Sequence, residues 1–577
     1  MRKVYNETVD MKYVGKTVTL AGWVAKKRDL GGLLFIDLRD RTGIIQLVIN
    51  PDNKIFELAN TLKNEYVIEV SGKVVERSSK NPNLKTGDIE IEVESLEVLN
   101  TCEELPFPIV DDVNTSEDNR LKYRYLDIRR NKLKNNLFLR NEVLHFLRNK
   151  MYDLGFTEVE TPILTASSPE GARDFVVPSR VYPGKFYALP QAPQIYKELL
   201  MVGGFEKYFQ IAPCFRDEDP RADRTLEFYQ LDFEMSFVDE EDVYKVGEDV
   251  FYDIFTTFSD KEVSPKPFRR ISYKDAMMKY GTDKPDLRNP LEIVDLSDIF
   301  EETEFKPFRG TTVRGIKVDD IAHKPNSWFN DLVEYAKKIG MPGIGYITVM
   351  DDWSYKGPID KFLTDKDRDQ LKERADLKVG SVLFFIADRK ESIAAKQAGL
   401  IRTELGVRLG LLDPNRFEFC IINDFPMFEY DIDTGKYEFC HNPFSEPHGG
   451  IKDYEEKNYS DIIAYQYDFV CNGNEMASGA VRNTDVESII KGFEIVGYER
   501  DEVLERFTSL LTAFKYGVPP HAGMAPGIDR IIMLLTGETN LREVQAFPIS
   551  PSGEDKMMGC PSTLSEQQLR EVHIKIR

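Results

Sequence analysis

The sequence lacks several features that would assign it to common classes of protein. No apolar run reaches the roughly 18 residues of a membrane-spanning helix, so no membrane segment is predicted. The N-terminal stretch MRKVYNETVDMK has no apolar core of a signal peptide, and secretion is not expected. The six cysteines form no Cys-x-x-Cys pair, which argues against a disulfide framework or structural zinc. Reduced thiols and a cytoplasmic location are therefore expected.

A P-loop is also missing. Gly15, Lys16 and Thr17 look like the end of one, but Asp10 stands where the motif requires its first glycine. The chain has 577 residues, enough for several domains that each bury a core. Its formal charge of -22 would repel nucleic acid at long range, so an RNA partner would need locally concentrated positive charge.

The first hundred residues provide such a place. They contain short β-branched segments separated by Gly, Asn and Asp turns, which predict strands over 18–25, 33–40, 44–49, 67–75 and 89–98. Strands of this kind favour an OB-fold barrel. Residues 12–50 hold seven Lys/Arg against three Asp/Glu, and the basic turn 26–32 precedes Phe35. Such a turn beside an aromatic ring is how these barrels stack single-stranded bases, although Phe35 in the core with solvated lysines is the alternative.

The stretch 208–237, YFQIAPCFRDEDPRADRTLEFYQLDFEMSF, alternates with period two on both sides of a charged loop, which predicts two paired strands. On the second strand, the predicted core face consists of Tyr229, Leu231, Phe233, Met235 and Phe237. The opposite face has mixed polarity and consists of Phe228, Gln230, Asp232 and Glu234. Burying two carboxylates without partners is costly. A plain amphipathic hairpin with a solvated turn does not explain that face.

The pattern FRDED…R…EF.Q.D.E in this hairpin resembles motif 2 of class II aminoacyl-tRNA synthetases, in its aspartyl form. Upstream, a helical spacing of leucines ends near Gly155 and precedes FTEVETP, similar to motif 1, which builds a two-fold dimer interface in the family. Downstream, GIDR at 527–530 followed by IIMLL matches motif 3. The motifs occur in the family's order, whereas the His-x-Gly-His and Lys-Met-Ser-Lys sequences of class I synthetases are absent.

Two further segments contain candidate ligand-binding residues. LPQAPQIYK opens a helix that presents Gln194 and Lys197 on one face, which by itself is equally compatible with a surface pair. YQYDFVCNGNEMASGAVRN places Asp468, Glu475 and Arg482 at intervals of seven, with small residues that let a ligand approach the backbone. Isolated carboxylates suit Mg²⁺ held with substrate phosphates, and a polar strand pair at a sheet edge is the alternative. A zinc site at His441 and His448 lacks further ligands.

The resemblance implies roles for residues at the matching positions. It places L-aspartate among Glu170, Gln194, Lys197, Asp232, His441 and Arg482. It places ATP among Arg216, Glu218, Phe228, Gln230, Glu475 and Arg530, of which Arg216, Glu218 and Arg530 are the catalytic set. Magnesium is expected at Glu218, Asp468 and Glu475. The second histidine of the family's His-His loop is Asn442 here.

For the barrel, the resemblance implies an anticodon-binding surface made of Arg28, Leu30, Phe35, Gln46, Arg77, Lys80, Asn81 and Glu90. Family members often have arginine where this chain has Val75. Members that also load tRNA-Asn often have histidine at the position of Leu30. Strict charging of tRNA-Asp is therefore expected, and non-discriminating charging of tRNA-Asn is the alternative.

The implied fold class is multidomain α+β, with an OB-fold barrel, an antiparallel-sheet catalytic domain and an inserted α+β domain of the GAD type. The expected boundaries are 1–105 for the barrel, 106–131 for a linker, 132–280 and 418–560 for the catalytic domain, 281–417 for the insertion and 561–577 for a C-terminal extension. The implied activity is an aspartate–tRNA ligase that acts as a homodimer. Alternatives are an asparaginyl or lysyl enzyme, an ammonia-using asparagine synthetase, and a non-catalytic RNA-binding paralogue.

Overall fold

The computed structural model describes residues 2–167, 172–431 and 434–577. Contacts divide the chain into two units, Met1–Thr115 and Ser116–Arg577. Glu170 lies outside the described residues. Among the helices of the described ranges, none combines the length and the hydropathy that crossing a bilayer requires.

The first unit is a closed barrel with strand order β1-β2-β3-β5-β4. Its strands are β1 (Thr17–Leu30), β2 (Leu33–Arg39), β3 (Ile44–Ile49), β4 (Val67–Glu76) and β5 (Ile89–Asn100), and helix α1 spans Phe56–Thr61. In the first half of β1 and along β2 every second residue is buried, so the alternation in the sequence becomes an inner face of mainly aliphatic side chains. The predicted OB-fold is confirmed.

The second unit contains several sheets. Its strands are β6 (Thr157–Glu158), β7 (Val176–Pro178), β8 (Phe186–Ala188), β9 (Lys207–Phe215), β10 (Glu227–Ser236), β11 (Glu262–Val263), β12 (Arg269–Ser272), β13 (Ile293–Asp295), β14 (Thr312–Val318), β15 (Gly345–Val349), β16 (Tyr355–Lys356), β17 (Val382–Asp388), β18 (Arg416–Phe417), β19 (Phe419–Pro426), β20 (Phe428–Asp431), β21 (Lys436–Phe439), β22 (Ile463–Cys471), β23 (Asn474–Val481) and β24 (His521–Pro526).

Its helices flank these sheets. They are α2 (Glu117–Lys122), α3 (Arg124–Asp127), α4 (Asn131–Asp153), α5 (Gln194–Val202), α6 (Glu240–Phe258), α7 (Tyr273–Tyr280), α8 (Asn326–Lys338), α9 (Asp365–Arg374), α10 (Glu391–Arg408), α11 (Asp453–Glu456), α12 (Val486–Ile495), α13 (Arg500–Arg506), α14 (Thr508–Phe514), α15 (Ile528–Thr536) and α16 (Glu566–Glu571).

The largest sheet has the order β12-β19-β22-β23-β24-β10-β9-β6. Its inner strands, from β19 to β9, are antiparallel, while β12 and β6 pair in parallel at the two edges. The six inner strands form the antiparallel sheet expected of the catalytic domain, and the two parallel edge strands widen it to eight strands. Both edge strands are short, and β6 has only two residues, so neither gives a clear alternating pattern.

The predicted hairpin forms as β9 and β10, with Phe228 opposite Cys214 and Asp232 opposite Gln210. One assignment is wrong. Phe237 was expected in the core, but the strand ends at Ser236 and Phe237 is 68% exposed with a φ of 59°. The chain turns sharply there, so the period-two pattern no longer decides which way the side chain points.

Residues 116–130, which fall in the expected linker, form helices held by buried ion pairs. Arg124 is 2% exposed and donates to Asp127 Oδ2 at 2.7 Å and to the carbonyls of Arg542 and Gln545 at 2.6 and 2.7 Å. Arg120 pairs with Glu543 at 2.8 Å. This segment is therefore attached to the C-terminal part of the second unit.

The expected insertion contains its own sheet, in the order β13-β14-β17-β15-β16. Helices α8 and α10 cover it, and their apolar residues form a core with Phe384 and Ile386 of β17. The sequence of this segment predicts strands over 343–350 and 382–387 and helices over 326–339 and 392–409. All of these elements are present, with ends shifted by no more than two residues.

Candidate active site

A cavity of about 310 Å³ opens on the inner strands of the large sheet. The predicted residues that line it are Gln194, Lys197, Arg216, Glu218, Phe228, Gln230, Asp232, His441, Glu475, Arg482 and Arg530. Asp468 is buried directly behind His441, with its Oδ2 3.5 Å from His441 Nε2. The fold therefore brings predicted residues more than 300 positions apart in the sequence together around one cavity.

The strand register explains why these side chains meet. Asp468 is opposite Ser478 on β23, which is opposite Ala525 on β24, so small residues separate the polar groups of β22 from those of β10. Two residues before Ala525 on β24, Gly523 is opposite Glu234 of β10. A Cβ at Gly523 would collide with the Phe233 carbonyl and the Glu234 carboxylate. Small residues on the central strands thus keep the floor of the cavity open.

One end of the cavity is a buried cluster of opposite charges. Lys197 Nζ lies 2.7 Å from Asp232 Oδ1 and 3.2 Å from Glu234 Oε2. Arg482 binds Glu234 with two hydrogen bonds, from Nε to Oε1 at 2.8 Å and from Nη2 to Oε2 at 3.0 Å. All four side chains are buried. Glu234 was on the predicted polar face but was not assigned a role, because its partner Arg482 is remote in sequence.

The charges in this cluster control one another. Burial by itself would raise the pKa of Glu234, but Arg482 and Lys197 hold it at about 2. Burial by itself would lower the pKa of Lys197, yet Asp232 and Glu234 raise it. The two cations therefore stay charged, so this end of the cavity can bind a carboxylate with nitrogen donors that are already positioned.

The other end combines an aromatic ring with arginines. The Arg216 guanidinium lies over the Phe228 ring, 5.1 Å from its centroid, and its buried Nε has no hydrogen-bond partner among the described residues. Arg530 Nη1 donates to the Glu475 carbonyl, and its Nη2 lies 3.3 Å from the Asp223 carbonyl. This arrangement suits a stacked base followed by phosphates.

Between the two ends lie the carboxylates expected to bind metal. Both oxygens of buried Asp468 lack a hydrogen-bond partner, a costly situation unless a cation binds there. His441 is the nearest cation, and Asp468 raises its pKa to about 9 although burial opposes the shift. Glu218 forms an ion pair with Arg224. In the described ranges no group of three or more His, Cys, Asp or Glu side chains could hold a metal ion by itself.

Sequence analysis gave the insertion no chemical role, yet Lys284, near its start, reaches this site. Lys284 Nζ lies 3.1 Å from Glu475 Oε2 and 2.9 Å from Asp283 Oδ2. Burial by itself would lower the pKa of Lys284, but Glu475 and Asp283 raise it. A lone lysine in a loop gives no recognisable pattern in the sequence.

Three of the barrel residues predicted to bind an anticodon belong to one hydrogen-bonded group in the first unit. Arg28 donates to Asp37 at 2.6 Å and lies 3.3 Å from Gln46 Oε1, while Gln46 Nε2 donates to Glu90 at 2.7 Å. The other predicted residues are exposed or half-buried, namely Leu30, Phe35, Arg77, Lys80 and Asn81. A half-buried Phe35 is compatible with stacking but does not test it.

Comparison with known families matches both units. Residues 116–551 match the model of class II tRNA synthetases (D, K and N), and residues 18–99 match that of the OB-fold nucleic acid binding domain.

Comparison with individual proteins gives full-length matches. The chain is 50% identical over 567 residues to the aspartate–tRNA ligase of Streptomyces avermitilis, covering 98% of this chain and 96% of that protein. It is 51% identical over 584 residues to the aspartate–tRNA(Asp/Asn) ligase of Wolbachia sp. subsp. Brugia malayi, covering 98% and 97%. Among solved structures, asparaginyl-tRNA synthetase from Pyrococcus horikoshii bound to asparaginyl-adenylate has a TM-score of 0.60 at 21% identity, covering 96% and 99% of the two chains. At that identity the structural match concerns the fold alone.

Proposed function

We propose, from the premise that this chain belongs to the class II tRNA synthetases of the D, K and N group, that it is an aspartate–tRNA ligase. It activates L-aspartate with ATP and transfers the aspartyl group to tRNA-Asp. The observation that supports this most directly is the buried pair of cations, Lys197 and Arg482, which presents only donors to the substrate side chain.

The first step needs no nucleophile from the protein. An oxygen of the aspartate α-carboxylate bonds to the α-phosphorus of ATP, and the bond to the bridging oxygen of the departing pyrophosphate breaks. Positioning and charge neutralisation provide most of the catalysis in such transfers. Phe228 stacks the adenine, Arg216 spans the two reacting anions, and Arg530 holds the γ-phosphate. The 3′-terminal hydroxyl of the tRNA then attacks the aspartyl carbonyl and releases AMP.

The residues present fit a magnesium ion bound together with ATP. Within the described residues Asp468 has no hydrogen bond to either carboxylate oxygen, and burial together with nearby Glu475 raises its pKa. Burial by itself would raise the pKa of Glu475 as well, but Lys284, Arg530 and His441 lower it. Mg²⁺ typically takes one or two carboxylates and completes its shell with phosphates and water. Asp468, Glu475 and Glu218 would hold the ion, which would neutralise phosphate charge.

The protein is proposed to act as a homodimer through the motif 1 region, formed by α4 and β6. Two aromatic side chains on α4, Phe138 and Tyr152, are 40% and 50% exposed in the single chain. Aromatic residues are enriched in the cores of protein–protein interfaces, so these rings, exposed in the single chain, support an interface at α4.

Phe228→Leu tests the adenine-binding role. We expect the KM for ATP to rise about tenfold, because stacking on an aromatic ring contributes about 1–3 kcal/mol, while the KM for aspartate changes little. Steady-state pyrophosphate exchange measures both constants. Phe186→Leu is the matched control, since that ring is 50% exposed and does not line the cavity. Equal changes in both KM values would contradict the assignment.

The choice of tRNA separates the main proposal from its alternative. The relative from Streptomyces is named aspartate–tRNA ligase and that from Wolbachia aspartate–tRNA(Asp/Asn) ligase, at 50% and 51% identity, so sequence identity does not separate the two alternatives. We propose strict charging because this chain has Leu30 where family members that also load tRNA-Asn often have histidine. Aspartylation of purified tRNA-Asp and tRNA-Asn transcripts should differ by at least about 100-fold, the effect of one or two mismatched recognition contacts of ~1–3 kcal/mol. Comparable rates would establish the non-discriminating form.

A further inference from the structure

Behind Gln194, on the side away from the cavity, lies a buried chain of polar side chains. Gln194 and Glu198 are four residues apart on α5, and His521 begins β24. Gln194 is 5% exposed, and Glu198 and His521 are each 0% exposed. Of these, Gln194 lines the cavity and the other two do not. A buried carboxylate and imidazole in contact with a substrate-binding amide invite a functional explanation.

The hydrogen bonds in this chain have defined directions. Gln194 Nε2 donates to Glu198 Oε1 at 2.6 Å, and His521 Nε2 lies 3.2 Å from Glu198 Oε2. His521 Nδ1 lies 2.8 Å from the Pro519 carbonyl. An ionised carboxylate and a carbonyl only accept hydrogen bonds. Gln194 must therefore offer its NH₂ group to Glu198, and His521 must offer N–H to Pro519.

The amide of Gln194 consequently has one orientation. With Nε2 held by Glu198, the carbonyl oxygen Oε1 is the end left for the cavity, and no described residue donates a hydrogen bond to it. If the amide turned over, Oε1 would face the Glu198 carboxylate and the NH₂ group would face the substrate. Two acceptors would then face each other at Glu198, and on the cavity side an NH₂ donor would replace the carbonyl acceptor.

His521 stabilises Glu198 in turn. Burial by itself would lower the pKa of His521, but the Glu198 carboxylate raises it. Both ring nitrogens face oxygen acceptors, Nδ1 the Pro519 carbonyl and Nε2 the Glu198 carboxylate, so the geometry favours a ring that donates from both nitrogens. The Glu198 carboxylate therefore lies between two hydrogen-bond donors, the Gln194 amide and the His521 ring.

We propose that Glu198 and His521 are positioning residues for substrate selection: they fix the Gln194 carbonyl toward the cavity, where it accepts a hydrogen bond from the α-ammonium group of aspartate. This inference rests on the proposed function. Neither residue touches the substrate, so each acts through Gln194. Sequence analysis assigned Gln194 to aspartate but gave no role to Glu198 or His521.

The test compares aspartate with succinate, which has the same two carboxylates and no ammonium group. In Glu198→Met we expect the KM for aspartate in pyrophosphate exchange to rise 10- to 100-fold, the loss of one hydrogen bond to a charged group. The inhibition constant of succinate and the KM for ATP should stay within about twofold. Glu198→Gln should restore aspartate binding to within about threefold, because its amide can accept from Gln194 and donate to a neutral His521.

Other outcomes overturn the inference. If folded Glu198→Met keeps the wild-type preference for aspartate over succinate, or loses affinity for both equally, Glu198 acts only on the fold. If Glu198→Met does not fold, Glu198→Gln decides, since a loss of the preference in that variant contradicts the proposed orientation. Gln194→Met should reproduce the loss seen in Glu198→Met, and combining the two should add nothing. A wild-type protein without aspartate-dependent exchange would instead remove the proposed function.

Discussion

Lys197→Met should lower aspartate-dependent pyrophosphate exchange by about 10³-fold. Removing one partner from a buried, hydrogen-bonded charge pair costs roughly 2–5 kcal/mol, and each 1.36 kcal/mol is a factor of ten. Lys197 lies within 3.2 Å of both Asp232 and Glu234, so the variant leaves excess negative charge where a carboxylate has to bind. The substrate then meets repulsion in place of a donor.

The measurement is exchange at saturating ATP over a wide range of aspartate concentrations, with thermal unfolding measured in parallel. The matched control is Lys245→Met, whose side chain is 70% exposed in an ion pair with Asp242. That surface pair contributes little, so exchange should be unchanged. Activity of Lys197→Met near the wild-type value would refute the role of Lys197.

Asparagine should be activated about 10⁴-fold less efficiently than aspartate. Lys197 and Arg482 carry only donors at the side-chain end of the cavity, and the amide NH₂ of asparagine is also a donor. In bound asparagine the side-chain NH₂ group would face a nitrogen donor of Lys197 or Arg482, and both donors would be buried without an acceptor. Sites that read a hydrogen-bonding group reject analogues without it by factors on the order of 10⁴.

The ratio of kcat/KM values in pyrophosphate exchange measures this selectivity, using asparagine freed of traces of aspartate. ATP concentration and protein are the same in both arms, so only the side-chain group differs. A ratio below about 100 would mean that Lys197 and Arg482 do not discriminate a side-chain carboxylate from an amide. It would also favour an asparaginyl activity, which the family includes.

Much of the site was predictable because it is encoded locally. The period-two pattern of β10 placed Phe228, Gln230 and Asp232 on one face, and all three line the cavity. The spacing in α5 likewise placed Gln194 and Lys197 together. Local patterns fix which way a side chain points, and that is sufficient wherever a single element supplies the residues.

The remaining features depend on contacts between distant segments. Glu234 and Arg482 are 248 residues apart, so no local pattern could show that they form a bidentate pair. Lys284 reaches Glu475 from a loop at the start of the insertion. Residues of α2 and α3 were expected to form a linker because the groups that stabilise these helices are remote in sequence. Their arginines bind groups near the other end of the chain, such as Glu543 and the Arg542 carbonyl.

The register of the large sheet has a consequence for biosynthesis. Strand β24 hydrogen-bonds directly to β10, although the whole insertion and β19–β23 separate them in the chain. The middle of the sheet therefore stays incomplete until β24 has left the ribosome, whereas β13–β17 can already close their own core. On a stalled nascent chain ending shortly before β24, protease should spare the insertion and digest the hairpin that carries Arg216 and Phe228.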